Sequence, residues 1–584
     1  MLSEKVVEGA ARGAGARRTR IVVVGGVAGG MSAAARARRL DERAEIVVLE
    51  RGDHPSFANC GLPYYVGGEI EREQSLLVQT PASLAAALDL DVRVRHEVIG
   101  LDAEARAVTV RTPSGTEVIG YDALVLAPGA RAVVPPVPGI GSPRVTTLRT
   151  VGDAVGLREA VTGPGAARRA VVLGAGFIGI EAAEALRLRG LEVDVVELAD
   201  HVLPPLEREL ASLVTAELRR LGITVHDGVA ATAVEQGVDA DVVVLADGTR
   251  LPADTVVLSV GVRPDTAPFE AAGVACERGA IVVDEHGRTN LPGVWATGDA
   301  TVSTDAVTGV RRPVALAGPA NRGGRLVADD ILRPGTARPL PQPLGTAVVR
   351  VGSLTAAMTG ANRAALDASG TGYETVHLHP GSHAGYFPGA EQVHLVLHVR
   401  TGDGLLLGAQ AVGADGVDKR IDVLATAMRH RAVAADLIDL DLAYAPPYGS
   451  AKDPVNLAGM IADNVATGTV RLWQAADLDD VLERAFVLDV RSPAEFATGH
   501  LPGALNVPHT QVRDRLAEIR EAAGDRPVRL HCQSGMRSYL ALRVLAQEGF
   551  ADVAHLSGGM LTLRGWLGDA ADEVLVVPEP ARVA

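Results

Sequence analysis

Two glycine-rich turns, each between a short apolar strand and a helix, constrain this 584-residue chain more than any other feature. The first lies in "RIVVVGGVAGGMSAAARARRL" (20–40) and the second in "RAVVLGAGFIGIEAAEALRLRG" (169–190). A strand, a glycine turn and a helix in this order open a βαβ unit whose helix N-terminus faces a phosphate group. Two such openings predict an α/β protein with two dinucleotide-binding domains.

The second turn, "GAGFIG", matches the pattern G-x-G-x-x-G with Gly174, Gly176 and Gly179. These glycines allow the tight turn, the close approach of a pyrophosphate and close helix–strand packing, respectively. Glu197 ends the next strand, where its carboxylate can accept a hydrogen bond from a ribose 2′-hydroxyl. No lysine or arginine follows directly in "ELADHVL", so the sequence favours NADH and leaves NADPH possible.

The first turn, "GGVAGG", keeps Gly25 and Gly30 at the outer positions but has Val27 in the middle. "YDALVLAPG" (121–129) and "GVWATGDA" follow it, and Asp299 of the latter is placed to meet a ribose or ribityl hydroxyl. These three stretches, in this order, resemble the pyridine nucleotide–disulfide oxidoreductase family over residues 20 to about 460. The resemblance implies FAD at the first site and NAD(P)H at the second. The residues implied to bind FAD are Gly25, Gly30, Glu50, Arg51, Ala127, Gly129 and Asp299.

Cys60, in "SFANCGLPYY", is one of only three cysteines and has no neighbouring cysteine to form a redox pair. The motif resembles the single-cysteine branch of that family, which comprises coenzyme A-disulfide reductases, NADH oxidases and NADH peroxidases. In that branch the cysteine lies beside the flavin and cycles with an external sulfur or an oxygen. Beside a flavin and a helix dipole, the pKa of Cys60 is predicted to be depressed, which makes a nucleophilic thiolate. The alternative is a buried structural cysteine.

Several residues favour coenzyme A over oxygen as the partner of Cys60. Arg36 and Arg39 are spaced i, i+3 on the first helix and are predicted to bind the ADP moiety; a solvated helix face is the alternative. That helix carries no histidine, whereas the oxidases and peroxidases of the branch tend to use one there. The resemblance implies further coenzyme A contacts from Ser56, Phe57, Asn59, Asn321, Arg322, Tyr448 and Lys452. It also implies that Tyr386 and Tyr444 reach the partner subunit's cysteine as catalytic groups, although these tyrosines could merely pack.

The last part of the chain contains "FVLDVRSPAEFATGHLPGALNVP" and "HCQSGMRS", which together resemble the rhodanese family over about 110 residues. The residues on which this resemblance rests are Asp489, Arg491, Glu495, His500, Gly503, Ala504 and the loop from Cys532 to Arg537. Backbone N–H groups of such a loop favour an anion, so Cys532 is expected to be a thiolate that accepts sulfane sulfur as a persulfide. Only four residues separate Cys532 from Arg537, a loop that suits sulfur better than phosphate, although a phosphatase-like site or an inactive scaffold stays open. Cys276 is predicted to be structural.

The pattern divides the chain into six segments. They are a disordered tail (1–19), a Rossmann-like FAD domain (20–150 and 280–340), a Rossmann-like NAD(P)H domain (151–279), an α+β dimerisation domain (341–460), a linker (461–475) and an α/β rhodanese domain (476–584). The net charge of −15 argues against binding to nucleic acid or to an anionic membrane. No metal site, secretory signal or membrane span is expected, which favours a cytoplasmic protein. The resemblance to the oxidoreductase family implies a homodimer.

The resemblance to coenzyme A-disulfide reductases fused to rhodanese implies a function for the whole chain. NADH would reduce FAD, Cys60 would reduce coenzyme A disulfide, coenzyme A persulfide or polysulfide, and Cys532 would carry sulfane sulfur. Three alternatives stay open: an NADH oxidase, a sulfurtransferase with an accessory flavin domain, and a redox-sensing flavoprotein without enzymatic activity.

Overall fold

The computed structural model describes residues 18–577, which fold around four five-stranded sheets. The predicted fold class is confirmed: two dinucleotide-binding units are followed by an α+β unit and a further α/β unit. Residues 1–17 of the predicted tail lie outside the described residues. Within 18–577, no helix is both long and apolar enough to cross a membrane.

The first sheet is parallel throughout, because its central strands are apolar runs buried on both faces. The helices Ala28–Leu40 and Ala317–Leu332 pack together on one face. The antiparallel strands Glu97–Asp102, Ala107–Thr112 and Gly115–Gly120 cover the other. In spatial order, the strands are Val294–Ala296, Ala123–Leu126, Arg20–Val24, Glu45–Leu49 and Asp91–Arg93.

The second sheet repeats this plan with a shorter outer strand. The helices Val151–Ala160, Phe177–Leu188 and Arg208–Arg220 contribute to its core. In spatial order, its parallel strands are Ile223–His226, Glu192–Val196, Arg169–Leu173, Thr255–Leu258 and Val145–Thr146. An antiparallel sheet of Ala231–Glu235, Asp241–Leu245 and Arg250–Ala253 packs on its other face.

Smaller elements connect these two units. The strand Ala130–Ala132 pairs with Val262–Pro264 and joins the two units at their junction. Four helical segments near Cys60 are Asn59–Gly61, Leu62–Gly67, Glu73–Leu76 and Pro81–Leu88. The other short elements are Ala267–Glu270, Cys276–Glu277, Ala280–Ile281, Val302–Thr304 and Arg311–Pro313.

The third sheet is antiparallel. The side chains along its strands alternate between a face that contacts the second unit and a face that its own helices cover. In spatial order, its strands are Ala347–Val351, Leu354–Gly360, Leu406–Gly413, Val393–Arg400 and Tyr373–Leu378. Its helices are Arg363–Ser369, Val417–Arg429, Ala434–Ile438 and Pro454–Ala466.

The fourth sheet is parallel, with helices on both faces. In spatial order, its strands are Leu472–Trp473, Val553–Leu556, Val528–His531, Phe486–Asp489 and Leu505–Asn506. Its helices are Ala475–Asp477, Leu478–Arg484, Pro493–Ala497, His509–Gln511, Leu516–Ala523, Met536–Gln547, Gly559–Leu567, Gly568–Ala570 and Ala571–Val574.

The predicted linker 461–475 is largely structured. The helix Pro454–Ala466 extends into it because Val455, Ala458 and Ala462 are buried against the third sheet. The strand Leu472–Trp473 already belongs to the fourth sheet, so only 467–471 connect the two units. The other domain boundaries drawn from the sequence remain predictions.

Candidate active site

The first glycine turn is held by its backbone conformation and by one carboxylate. Gly25 has φ +93°, and a Cβ there would clash with the carbonyl oxygen of Ala127. The backbone N–H groups of Gly26 and Gly52 donate to Glu50 Oε2 and Oε1, each at 2.7 Å. Glu50 thus braces the turn that leads into the helix Ala28–Leu40.

The second turn has the same construction. Gly174 has φ +97°, and a Cβ there would lie 2.6 Å from the carbonyl oxygen of Ser259. Glu197 Oε2 accepts from Ala175 N at 2.6 Å, and its Oε1 accepts from Ala199 N at 2.9 Å. A Cβ at Gly176 would meet no atom within 4 Å, so this position leaves open space directly before the helix Phe177–Leu188.

Both turns contribute to one cavity of about 1660 Å³, which exceeds the volume that a single small ligand requires. Arg149 donates to Asp299 Oδ2 at 3.2 Å on its wall. The predicted site residues that line the cavity are Gly25, Glu50, Arg51, Phe57, Asn59, Cys60, Ala127, Gly129, Gly176, Asp299 and Arg322. A glycine cradle that a Cβ would fill, open space at Gly176 and a carboxylate on the wall fit FAD and a second dinucleotide.

Cys60 lies in the short helical turn Asn59–Gly61 and exposes its side chain to this cavity. Surrounding protein removes water from part of the thiol, and the Glu181 carboxylate adds negative charge nearby; together they raise the pKa of Cys60. The groups of the protein itself thus do not depress this pKa, and the depression expected beside a flavin stays a prediction.

Glu181 and Tyr64 are cavity residues that sequence reasoning missed. Tyr64 donates its hydroxyl to Glu181 Oε1 at 3.2 Å. Burial raises the pKa of Glu181, and burial together with this carboxylate raises the pKa of Tyr64 to about 12. The available signal for Glu181 was an acidic residue two positions after the last glycine of the second pattern.

Of the predicted coenzyme A residues, Phe57, Asn59 and Arg322 line the cavity and the others do not. Arg36 Nε and a terminal nitrogen donate to Asp329 Oδ1 at 2.8 and 2.6 Å, so its guanidinium is engaged by the neighbouring helix. Arg39 is exposed, and Asn321 accepts from Ser32 at 2.6 Å. Ser56 has φ +50° and binds the carbonyl oxygen of Gly26 through its backbone N–H. Their role in binding remains a prediction.

The predicted tyrosines lie on the exterior of the third unit. The hydroxyl oxygens of Tyr386 and Tyr444 are 3.0 Å apart, and both side chains are exposed. Tyr448 and Lys452 are also exposed, and none of these four residues lines the cavity of its own chain.

Several predicted residues serve the architecture around the cavity. Gly30 and Gly179 begin their helices so closely against the preceding turns that a Cβ would clash with the carbonyl oxygens of Gly25 and Gly174. Cys276 is half-buried in a two-stranded ladder, and burial raises its pKa.

Cys532 begins the second candidate site, at the end of the strand Val528–His531, and is buried. The backbone N–H of Gly535 donates to its Sγ at 3.1 Å, and the Ser538 hydroxyl lies 3.4 Å from the same atom. Arg537 donates to both carboxylate oxygens of Glu495, at 2.7 and 2.6 Å. This hydrogen bond from Arg537 lowers the pKa of Glu495 to about 2.

Two further residues next to Cys532 were missed. Ser538 Oγ donates to the carbonyl oxygen of Gly535 at 2.9 Å, and His555 Nδ1 lies 3.2 Å from the same hydroxyl. Burial lowers the pKa of His555 to about 4. Ser538 follows the predicted loop directly, whereas His555 comes from a separate strand and gives no local signal.

Comparison with known proteins matches three family models to this chain. A pyridine nucleotide-disulphide oxidoreductase model matches residues 19–321, its dimerisation domain matches 346–454, and a rhodanese-like domain matches 471–564.

Individual relatives match over most of the chain. The chain is 34% identical to a coenzyme A disulfide reductase of Staphylococcus haemolyticus, over 75% of this chain and 98% of the relative. The crystal structure of reduced Bacillus anthracis CoADR-RHD matches with a TM-score of 0.92 and 41% identity, over 96% of this chain and 99% of that one. A NAD-dependent persulfide reductase from A. fulgidus matches with a TM-score of 0.86 and 36% identity, over 93% and 100% of the two chains.

Proposed function

This chain belongs to the pyridine nucleotide-disulphide oxidoreductase family, and we propose that it uses NADH and FAD to reduce coenzyme A disulfide and coenzyme A persulfide or polysulfide. The observation that carries this proposal is the position of Cys60 in the cavity formed by both glycine turns. Cys276 and Cys532 do not line that cavity, so Cys60 has no second cysteine of its own chain there. The sulfur with which it cycles is therefore external.

The proposed reduction starts when the Cys60 thiolate attacks one sulfur of the substrate. The substrate S–S bond breaks, and the departing coenzyme A thiolate takes up a proton. Coenzyme A disulfide leaves a mixed disulfide between coenzyme A and Cys60, whereas coenzyme A persulfide, attacked at its outer sulfur, leaves a persulfide at Cys60. FAD, when bound, supplies the transfer of an electron pair from NADH to this new S–S bond. Two thiols and NAD⁺ result from coenzyme A disulfide, whereas coenzyme A, hydrosulfide and NAD⁺ result from the persulfide.

The residues around Cys60 have proton-handling roles in this scheme. The pKa of Cys60 is raised, so a base has to take the proton of the thiol before the sulfur can attack. Glu181 and Tyr64 share a hydrogen bond on the same cavity wall and can hold that proton away from the sulfur. Glu50 holds the first glycine turn, and Glu197 holds the second, against the two cofactors.

The rhodanese domain supplies sulfane sulfur in this proposal. Gly535 N–H and Ser538 surround Cys532 Sγ and would stabilise a thiolate or a persulfide there. Cys532 does not line the Cys60 cavity, so a carrier has to connect the two sulfurs. The pantetheine arm of coenzyme A, with Arg39, Arg322 or Lys452 binding its phosphates, is the carrier that fits the proposed substrates.

The assembly and the location belong to the same proposal. The match to a dimerisation domain supports a homodimer in which Tyr386 and Tyr444 approach the partner's cavity. All three cysteines are free, which is compatible with the reducing cytoplasm.

The test measures NADH oxidation without oxygen, with coenzyme A disulfide and with coenzyme A persulfide as separate substrates. Replacing Cys60→Ser removes the nucleophile, and we expect both activities to fall at least about 10³-fold. Cys532→Ser is expected to lower only persulfide turnover, whereas Cys276→Ser is the matched control and leaves both unchanged. NADH oxidation by oxygen alone, with neither substrate active, would instead identify an NADH oxidase.

A further inference from the structure

A buried chain of hydrogen bonds connects three domains at one point. Ser557 of the rhodanese domain lies 2.8 Å from Nδ1 of His377 in the dimerisation domain. His377 Nε2 lies 2.7 Å from Glu209 Oε1, at the start of the helix Arg208–Arg220 of the second dinucleotide unit. Ser557, His377 and Glu209 are 1%, 6% and 4% exposed, so water does not compete for these bonds.

The donors and acceptors of this chain allow one arrangement. Glu209 also pairs with Arg363, and as a carboxylate it only accepts, so His377 Nε2 carries the proton. Burial and the nearby Arg363 charge hold the pKa of His377 well below its ordinary value, which leaves Nδ1 as an acceptor. The Ser557 hydroxyl therefore donates to Nδ1, while its oxygen accepts the backbone N–H of His377 at 3.0 Å.

Two consecutive glycines connect this chain to the Cys532 loop. A Cβ on Gly558, which has φ +70°, would lie 2.7 Å from His377 Cβ and 2.9 Å from His379 Nε2. A Cβ on Gly559 would lie 2.6 Å from the carbonyl oxygen of Cys532. Gly558 therefore contacts His377, and the next residue, Gly559, contacts the Cys532 loop. Neither position has space for a side chain.

Neighbouring contacts keep the same surfaces together. His379 Nε2 lies 2.9 Å from Thr562 Oγ1, and Arg219 donates to Asp569 at 2.9 and 3.1 Å. A Cβ on Gly565 would lie 2.5 Å from the carbonyl oxygen of Glu209, so the helix Gly559–Leu567 crosses Arg208–Arg220 closely. The His379–Thr562 contact is partly buried and the Arg219–Asp569 pair is exposed, whereas Ser557, His377 and Glu209 are all buried.

We propose that Ser557, His377 and Glu209 form a positioning chain that fixes the rhodanese domain on the body of its own polypeptide and thereby sets the position of Cys532. This inference rests on the proposed function, because its benefit is sulfur delivery from Cys532. None of the three residues contacts a reacting atom, and each acts through the Gly558–Gly559 backbone.

The test compares full-length Ser557→Ala and His377→Phe with the control Ser212→Ala. Ser212 lies on the same helix as Glu209, but its hydroxyl donates only to the carbonyl oxygen of Glu209 in its own helix. Two readouts are measured: hydrogen–deuterium exchange of 557–562, and NADH oxidation with coenzyme A persulfide and with coenzyme A disulfide.

Loss of one buried hydrogen bond is expected to increase exchange at 557–562 and to lower persulfide turnover, each about fivefold. Disulfide turnover stays at the wild-type level, which also shows that the reductase part is folded. Unchanged exchange at 557–562 in both variants would overturn the positioning chain. Increased exchange at 557–562 with unchanged persulfide turnover would also overturn the positioning chain. If the wild type does not use persulfide at all, the proposed function fails, while exchange still decides whether the chain of bonds holds the domain.

Discussion

At the scale of single residues, the reactivity of Cys60 depends on a carboxylate from a distant part of the chain. Glu181 lies on the helix of the second dinucleotide unit, yet it shares the cavity wall with Cys60 and Tyr64. Burial and this negative charge both raise the pKa of Cys60, so both favour the neutral thiol. In the proposed reaction, the thiol therefore has to lose its proton before it attacks a substrate.

Replacing Glu181→Gln is expected to make Cys60 more reactive. The substitution removes a negative charge that disfavours the thiolate, so the pKa of Cys60 falls and alkylation by iodoacetamide at pH 7 accelerates, by about fivefold. Peptide mass spectrometry over a range of pH measures this rate. Glu184→Gln, one turn further along the helix and outside the cavity lining, is the control. Slower or unchanged alkylation in Glu181→Gln would contradict this electrostatic account.

At the scale of elements, the two glycine turns show what a local pattern can predict. Gly174 requires a left-handed backbone and Gly176 an empty approach, and both requirements follow from a few adjacent residues. The sequence therefore predicted the strand, turn and helix that open each dinucleotide unit. It did not predict how far the helix Pro454–Ala466 extends, because burial against the third sheet determines its end.

Gly174 and Gly176 of the second turn predict different effects of an added methyl group. Gly174→Ala forces φ +97° on alanine beside the Ser259 carbonyl, and the free energy of unfolding is expected to fall by about 1–3 kcal/mol. Gly176→Ala meets no protein atom, so stability stays unchanged while the KM for NADH rises, by about tenfold. Thermal unfolding and NADH titration separate the two effects, and an unchanged KM in Gly176→Ala would exclude a pyrophosphate at that position.

At the scale of the whole molecule, ionised groups tie the domains together. Glu217 on the helix Arg208–Arg220 accepts from the backbone N–H and the hydroxyl of Ser353 in the dimerisation domain, at 2.7 and 2.9 Å. The hydrogen bond from Arg220 and these two from Ser353 lower the pKa of Glu217 to about 2. Such contacts join residues far apart in sequence, as do Ser557, His377 and Glu209. No local pattern predicts them, so the sequence predicted the domains but not their docking.

The depressed pKa of Glu217 predicts an acid-sensitive domain contact. Its folded value of about 2 lies below the ordinary 4.5, so the stabilisation is complete above pH 4.5 and is lost as the pH falls towards 2. Glu217→Gln is expected to have a lower Tm than the wild type at pH 7, and the difference is expected to shrink towards pH 3. A constant difference in Tm over this range would contradict the role of the ionised carboxylate.

The most direct test of the proposed reaction at Cys60 is to find a sulfur adduct on this residue. The enzyme is reduced with NADH, freed of excess nucleotide and mixed with coenzyme A disulfide without oxygen, and its peptides are then analysed by mass spectrometry. We expect one coenzyme A joined to Cys60 by a disulfide, and its release when NADH is added again. Coenzyme A on another cysteine, or an adduct that NADH does not discharge, would contradict it.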